Sequence, residues 1–140
     1  MPDTNDMNEM NAQVIKEFRA NAGAVGGYFE GKPVLLLHHT GAKSGTRRVT
    51  PLMYNVDGDK LVIFASKGGA PGHPDWYRNL SANPETQVEV GTDTLDVTAR
   101  DAQGDERDRL WEQQKAEYPQ FADYEKATDR VIPVIVLDRR

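Results

Sequence analysis

The chain has 140 residues, no cysteine, 17 basic against 22 acidic residues and a net charge of −5. That length gives one domain with room for a real core, and the missing cysteine excludes disulfides, Cys-zinc sites, thiolate nucleophiles and iron–sulfur clusters. An acidic pI near 5.2 argues against non-specific nucleic-acid binding, which needs a broad basic face.

Met7, Met10, Val14, Ile15 and Phe18 recur at helical spacing between polar residues, so the spacing predicts an amphipathic helix from about 8 to 22, stopped at Gly23. Its apolar face is expected to dock on the core; closure over a ligand site, or a peripheral membrane contact, are the other readings. Residues 1–30 thus form a helix and a glycine-rich connection ahead of the main domain, 31–140. No apolar run approaches the ~20 residues that span a bilayer, and the first six residues lack the pattern of a secretory signal, so the expected location is the cytoplasm.

The next strand starts at Val34 and ends in His38-His39. Alternation sends these two rings to opposite faces, and His73 is the only other histidine, so no metal site is expected. A glycine-punctuated loop follows, Gly41-Ala42-Lys43-Ser44-Gly45. From Gly31 to Val56 there are four basic residues and no acid, a cation site on an acidic protein. Such a loop can turn amides and side chains toward phosphate or carboxylate oxygens. It is not a P-loop, because Ala42 precedes Lys43 and a β-branched run with Pro51 follows where a helix would be needed. The loop should instead join the strand to a second extended run, Val49–Val56, in a hairpin. Read as a bland feature, it is a solvated basic turn.

Asp57-Gly58-Asp59 marks a turn into Leu61–Ser66, whose uniformly apolar residues suit a strand buried on both faces. A second glycine loop with Lys67 at its mouth then leads into a short helix, Asp75–Leu80, in which Trp76 and Tyr77 are expected to pack in the core. Val88 and Val90, then Leu95, Val97 and Ala99, alternate with polar residues about a Gly91-Thr92-Asp93 turn. That is the pattern of a half-exposed hairpin. Asp105–Glu117 reads as a helix burying Leu110, Trp111, Gln114 and Tyr118, Phe121–Thr128 as a shorter one, and Ile132–Leu137 as the last strand, with Pro133 at an edge or bulge. Six strands with no βαβ repeat indicate a small antiparallel barrel with peripheral helices, mainly β within the α+β class.

The motifs Gly41-x-Lys43-Ser44-Gly45-x-x-Arg48-x-x-Pro51-Leu52, Ala65-Ser66-Lys67-Gly68-Gly69-Ala70, His73-Pro74-x-Trp76-Tyr77-x-Asn79-Leu80, Thr98-Ala99-Arg100 and Tyr118-Pro119-x-x-x-x-Tyr124 occur in this order. Together they resemble the deazaflavin-dependent nitroreductase family over residues 30 to 138. The resemblance implies a split β-barrel of the FMN-binding type that holds coenzyme F420, an 8-hydroxy-5-deazaflavin with a phosphate and an oligoglutamate tail. It implies that Ala42, Lys43, Ser44 and Arg48 hold the phosphate and tail, and that Val49, Thr50, Pro51, Leu52 and Met53 run along the cofactor. Phe64, Ala65, Ser66 and Lys67 would line the ring and tail entrance, and Asp75, Trp76, Tyr77, Arg78 and Asn79 the far wall. Ser66, Tyr118 and Tyr124 take the roles of acceptor binding and proton delivery. Met53 and Phe121 stand where relatives can carry tyrosine, a departure that bears on the acceptor range and leaves cofactor binding untouched. The implied activity is hydride transfer from reduced F420 to a quinone, a conjugated enone or a nitroaromatic. The rivals are an FMN-dependent reductase of the same barrel type and a non-catalytic carrier of a cofactor or lipid.

Overall fold

The computed structural model describes residues 4–26, 29, 31–69 and 72–140, the side chains of 4–10 excepted. Met7 and Met10 therefore fall outside the described side chains, and Ala70 and Pro71 of the second glycine loop outside the described residues. In chain order the elements are α1 (Thr4–Ala20), β1 (Val34–Thr40), β2 (Arg47–Met53), β3 (Asn55–Asp57), β4 (Lys60–Phe64), a 3-10 turn at Lys67–Gly69, α2 (Asp75–Ala82), β5 (Glu85–Val90), β6 (Asp93–Asp101), α3 (Gly104–Glu117), α4 (Gln120–Ala127) and β7 (Val134–Arg139).

All strands belong to one antiparallel sheet ordered β2-β1-β5-β6-β7-β4-β3. The described residues form seven strands where six were expected. The run Val49–Val56, read as a single strand, breaks at Tyr54, whose N–H still bonds to the β1 side, donating to the Pro33 carbonyl at 3.2 Å one step beyond the Val34–Met53 pair, before the chain turns to β4. Its first part pairs with β1, Val34 opposite Met53 through Thr40 opposite Arg47, and its second part with β4. Tyr54 itself is a β-prone residue, so composition gives no sign of the break at that position. The sheet's two edge strands are thus neighbours in sequence, separated by one residue, and the sheet must curl to bring them together. Contacts between β2 and β4 mark this seam, and the result is a curled antiparallel half-barrel with peripheral helices.

Period-two alternation divides the apolar residues between the faces. Leu35, Leu37, Leu61, Ile63, Val88, Val97, Ile135 and Leu137 fill the concave face, which Trp76 and Leu80 of α2 plug. On the other face Val62, Phe64, Val134 and Val136 lie under α3 and α4 through Leu110, Trp111 and Phe121. At the far end of that face α1 covers Val34 and Leu36 with Phe18, which is 1% exposed. Burying a side chain of this size contributes about 1.5–3 kcal/mol, so core docking, the first of the three readings, describes the C-terminal half of this helix.

The end of α1 shows why the chain stops there. Ala22 is left-handed (φ 55°), and the Gly23 N–H donates to the Phe18 carbonyl at 2.8 Å, the six-to-one bond of a Schellman cap. A Cβ on Gly23 would stand 3.1 Å from the Cα of Gly91 in the β5–β6 turn, so only glycine lets the two segments approach this closely. Arg19 fastens the helix from the side through two bonds to Glu89, at 2.8 and 3.2 Å.

The two-residue turns at Gly58-Asp59 and Gly91-Thr92 close the hairpins that the sequence predicts. The last strand begins two residues later than expected, at Val134, because Pro133 has no N–H for the ladder; its carbonyl accepts from Ala65 instead, at 3.0 Å.

Candidate functional site

The β1–β2 loop is held by its own backbone. The Gly41 N–H donates to Thr46 O and the Gly45 N–H to Gly41 O, both at 2.9 Å, while the Ser44 hydroxyl accepts from the Thr46 N–H at 3.2 Å. Ala42, Lys43, Ser44 and Arg48 are exposed, and among the described residues neither Lys43 nor Arg48 makes an ion pair. Arg19, Arg100, Arg109 and Lys115, by contrast, are all engaged by carboxylates. Cations left without a carboxylate are available to an anionic ligand.

One buried chain of hydrogen bonds ties this loop to α2 and β2. The Ala42 N–H donates to Asn79 Oδ1 at 2.9 Å, Asn79 Nδ2 faces His39 Nδ1 at 3.0 Å, and His39 Nε2 faces Thr50 Oγ1 at 2.8 Å. His39 is 4% exposed and Asn79 8%. Burial, aided by the charge of Arg48, pushes the His39 pKa down to about 4, so the ring is neutral at physiological pH.

The second loop is braced from the far end of the chain. Ser66, at the end of the buried β4 run, accepts at its carbonyl from Arg130 at 2.8 Å and from the Gly69 N–H at 2.9 Å. Arg130 also donates to Ala65 O at 3.1 Å and reaches His73 Nδ1 at 2.9 Å. The His73 pKa is lowered by burial and by Arg130 and Arg78. Lys67 is exposed and holds φ 47°, a left-handed conformation costly for a residue with a Cβ and concentrated in proteins at ligand sites. Gly69 (φ 83°) lies so close to α4 that a Cβ there would stand 2.9 Å from both Tyr124 O and Ala127 Cβ. The Lys67 turn and Tyr124 therefore sit side by side.

An aromatic wall forms beside that turn. Met53, Tyr118 and Tyr124 pack against the cluster containing Phe64, Trp111 and Phe121. Phe64 and Phe121 meet edge to face with centroids 5.7 Å apart, and Phe121 and Tyr124 at 5.1 Å, arrangements suited to ring quadrupoles.

The expected site residues fall into two groups. The polar group, Ala42, Arg48, Thr50 and Asn79, belongs with the concave face; Phe64, Met53, Tyr118, Phe121 and Tyr124 belong with the helix-covered face. The two faces adjoin where β2 and β4 end, since Leu52 and Ala65 pack with the concave core and their chain neighbours Met53 and Phe64 with the other, while Ala42 and Arg48 lie at or just before the start of β2. Val49 packs beneath α1 and, by alternation, Pro51 points the same way. Trp76 is core, as expected. Tyr77 donates to Asp101 at 2.5 Å, and burial together with that bond raises its pKa to about 12. Asp75 and Arg78 are exposed, 3.9 Å apart on the outer turn of α2. Sequence reasoning misses Arg130 and considers His39 only as a metal ligand. Their partners lie 65 and 40 positions away, and no local pattern announces such pairs.

The sequence model of the F420H(2)-dependent quinone reductase family matches residues 10–139. An F420H(2)-dependent quinone reductase of Mycobacterium tuberculosis is 43% identical over 127 residues, covering 88% of this chain and 85% of the relative. Among solved structures, an F420-H2-dependent reductase, FDR-A, is 43% identical with a TM-score of 0.70, covering 81% of this chain and all of that one. A structure described as a domain-swapped dimer is 38% identical with a TM-score of 0.72, covering 97% of this chain and all of that one.

Proposed function

The chain belongs to the F420H(2)-dependent quinone reductase family, and we propose that it reduces a quinone-type acceptor with reduced F420 bound along the seam between β2 and β4. The observation that carries this reading is the pairing of cations without a carboxylate partner among the described residues, Lys43 and Arg48 at or just before the start of β2 and Lys67 just beyond β4, with an apolar aromatic wall where those two strands end. F420 has that polarity: an anionic phosphate and glutamate tail on a flat, largely apolar ring.

In this reading Lys43, Arg48 and Lys67 bind the anionic tail, with Ser44 shaping the loop. Met53, Phe64, Ala65 and Phe121 bound the ring and keep water from it. When bound, the cofactor supplies a hydride. A quinone that receives a hydride becomes a hydroquinone anion and needs one proton to reach the neutral product. Tyr118 or Tyr124 supplies that proton while the Ser66 hydroxyl donates to the developing oxyanion. Phe121, in place of a phenol, leaves the wall one donor poorer, which favours acceptors held by stacking. The half-barrel is read as a split barrel on the same grounds.

The test is a fluorescence titration of the purified protein with F420 and, in parallel, with FMN, followed by the absorbance of F420H2 with and without a naphthoquinone. Binding of F420 with quinone-dependent oxidation supports the proposal. Preference for FMN would favour the flavin-dependent rival, and F420 binding without turnover of any quinone, enone or nitroaromatic would favour the non-catalytic carrier.

A further inference from the structure

The hydrogen-bond chain through His39 has a direction that its first member fixes. A backbone N–H only donates, so the oxygen of the Asn79 amide must face Ala42, and its NH2 must face His39 Nδ1. That ring nitrogen therefore accepts and carries no proton. In a neutral imidazole the proton then lies on Nε2, which donates to Thr50 Oγ1. A hydroxyl whose oxygen already accepts still has its own hydrogen to give, and among the described residues Thr50 has no further partner for it.

Placement says what that hydrogen is for. Thr50 and Arg48 lie two positions apart on β2 and share a face, and Arg48 stands directly opposite His39 in the β1–β2 register. Arg48 is exposed and Thr50 partly so, while the two groups behind them, His39 and Asn79, are buried. An exposed guanidinium beside a half-buried hydroxyl on the same face makes a pair of donors suited to oxygens of an anion. The buried groups behind them convert the position of one loop amide into the orientation of that hydroxyl.

We propose that His39 is a positioning residue: acting through Asn79 and Thr50, it locks the basic loop against α2 and aims the Thr50 hydroxyl hydrogen at the anionic part of the cofactor. The identity of that anion rests on the function proposed above. The surroundings agree with a ring that keeps a single proton. Burial first, then the charges of Arg48 and His38, disfavours a second proton on the ring, and Asp75 favours one.

The test combines ring NMR with affinities, both on the full chain. Nitrogen-15 spectra of the protein without cofactor should show His39 protonated at Nε2 alone from pH 7.5 to 5.5. Thr50→Val should weaken F420 binding by about 10- to 150-fold, the range for one hydrogen bond to a charged acceptor. Thr50→Ser should restore most of it. His39→Asn keeps an acceptor for Asn79 but loses the donor to Thr50, and should weaken binding similarly. Combined with Thr50→Val it should cost nothing more. His39→Gln, whose amide reaches the Nε2 position, should bind more tightly than His39→Asn. A ring protonated at Nδ1, additive losses in the double variant, or Thr50→Val binding like the parent would each overturn the proposal while leaving the cofactor assignment standing. A parent protein that binds no F420 defeats the cofactor assignment and this proposal with it.

Discussion

Replacing Gly69 by alanine should loosen the molecule at the point where the Lys67 turn meets α4. Two costs add. At φ 83° a Cβ is strained, at roughly 1–2 kcal/mol. It would also stand 2.9 Å from Tyr124 O and from Ala127 Cβ and 3.1 Å from Tyr124 Cα, none of them the end of a flexible side chain, so α4 or the turn must move, at about 1–3 kcal/mol. The sum, about 2–5 kcal/mol, corresponds to a melting point lowered by roughly 8–20 °C in a domain of this size. Gly58→Ala is the control, because Gly58 also has positive φ (63°) but nothing within 4 Å of its Cβ position, and should show the backbone cost alone. Urea unfolding of the parent and both variants measures the difference. If Gly69→Ala is no less stable than Gly58→Ala, the turn does not pack on α4 as described, and the proximity of Lys67 to Tyr124 goes with it.

Lys43→Ala and Arg48→Ala should each weaken F420 binding by roughly 1–3 kcal/mol, with the loss shrinking at high salt; unchanged affinity in a fluorescence titration would make the loop a solvated turn. Tyr124→Phe should keep fold and cofactor affinity yet lower kcat/KM about 10- to 1,000-fold, and an unchanged rate across several quinones removes this phenol from proton delivery. His39 has a native pKa of about 4 against 6.5 for the free side chain, so the unfolded chain binds a proton that the native one refuses. Stability from this residue is therefore complete above pH 6.5 and falls as pH drops toward 4, by about 2 kcal/mol between pH 6.5 and 5. Urea midpoints at pH 7 and 5 should show this loss in the parent and a smaller one in His39→Asn. Removing residues 1–20 should destabilise the domain by exposing Val34 and Leu36, visible as a lower melting point before any change in acceptor KM.

Much of the architecture is legible because it is local. Gly58-Asp59 and Gly91-Thr92 announce their hairpins, the apolar run Leu61–Ala65 its burial, and Pro119 the end of α3. What escapes is decided at a distance. Tyr54 looks like any strand residue, and only the curl of the whole sheet makes it the joint between two edges. The candidate site follows the same division. Its cations and glycines stand out by residue type, and Lys67 lies in a loop of evident glycine content, but its left-handed backbone shows only in three dimensions. His39, Asn79 and Thr50 are ordinary polar residues until β1, β2 and α2 are assembled around them. Arg130, between a helix and the last strand, reads as a surface residue in sequence and proves to hold the carbonyls of Ala65 and Ser66.

The position of β7 in the sheet bears on how the protein comes into being. Among the described strands, β3 and β4 are hydrogen-bonded to the rest of the sheet only through β7, which bridges β4 and β6. On a ribosome β7 emerges after the other six strands described, so until it has been made the nascent protein holds two separate pieces of sheet, each with an unpaired edge. The folding nucleus cannot be completed early, and the pairings that close it join residues far apart in sequence, Leu61 with Leu137 and Val97 with Arg139, which makes for slow closure. A stalled or prematurely ended chain exposes β4 and β6 as templates for whatever strand comes by, including the β7 of another copy.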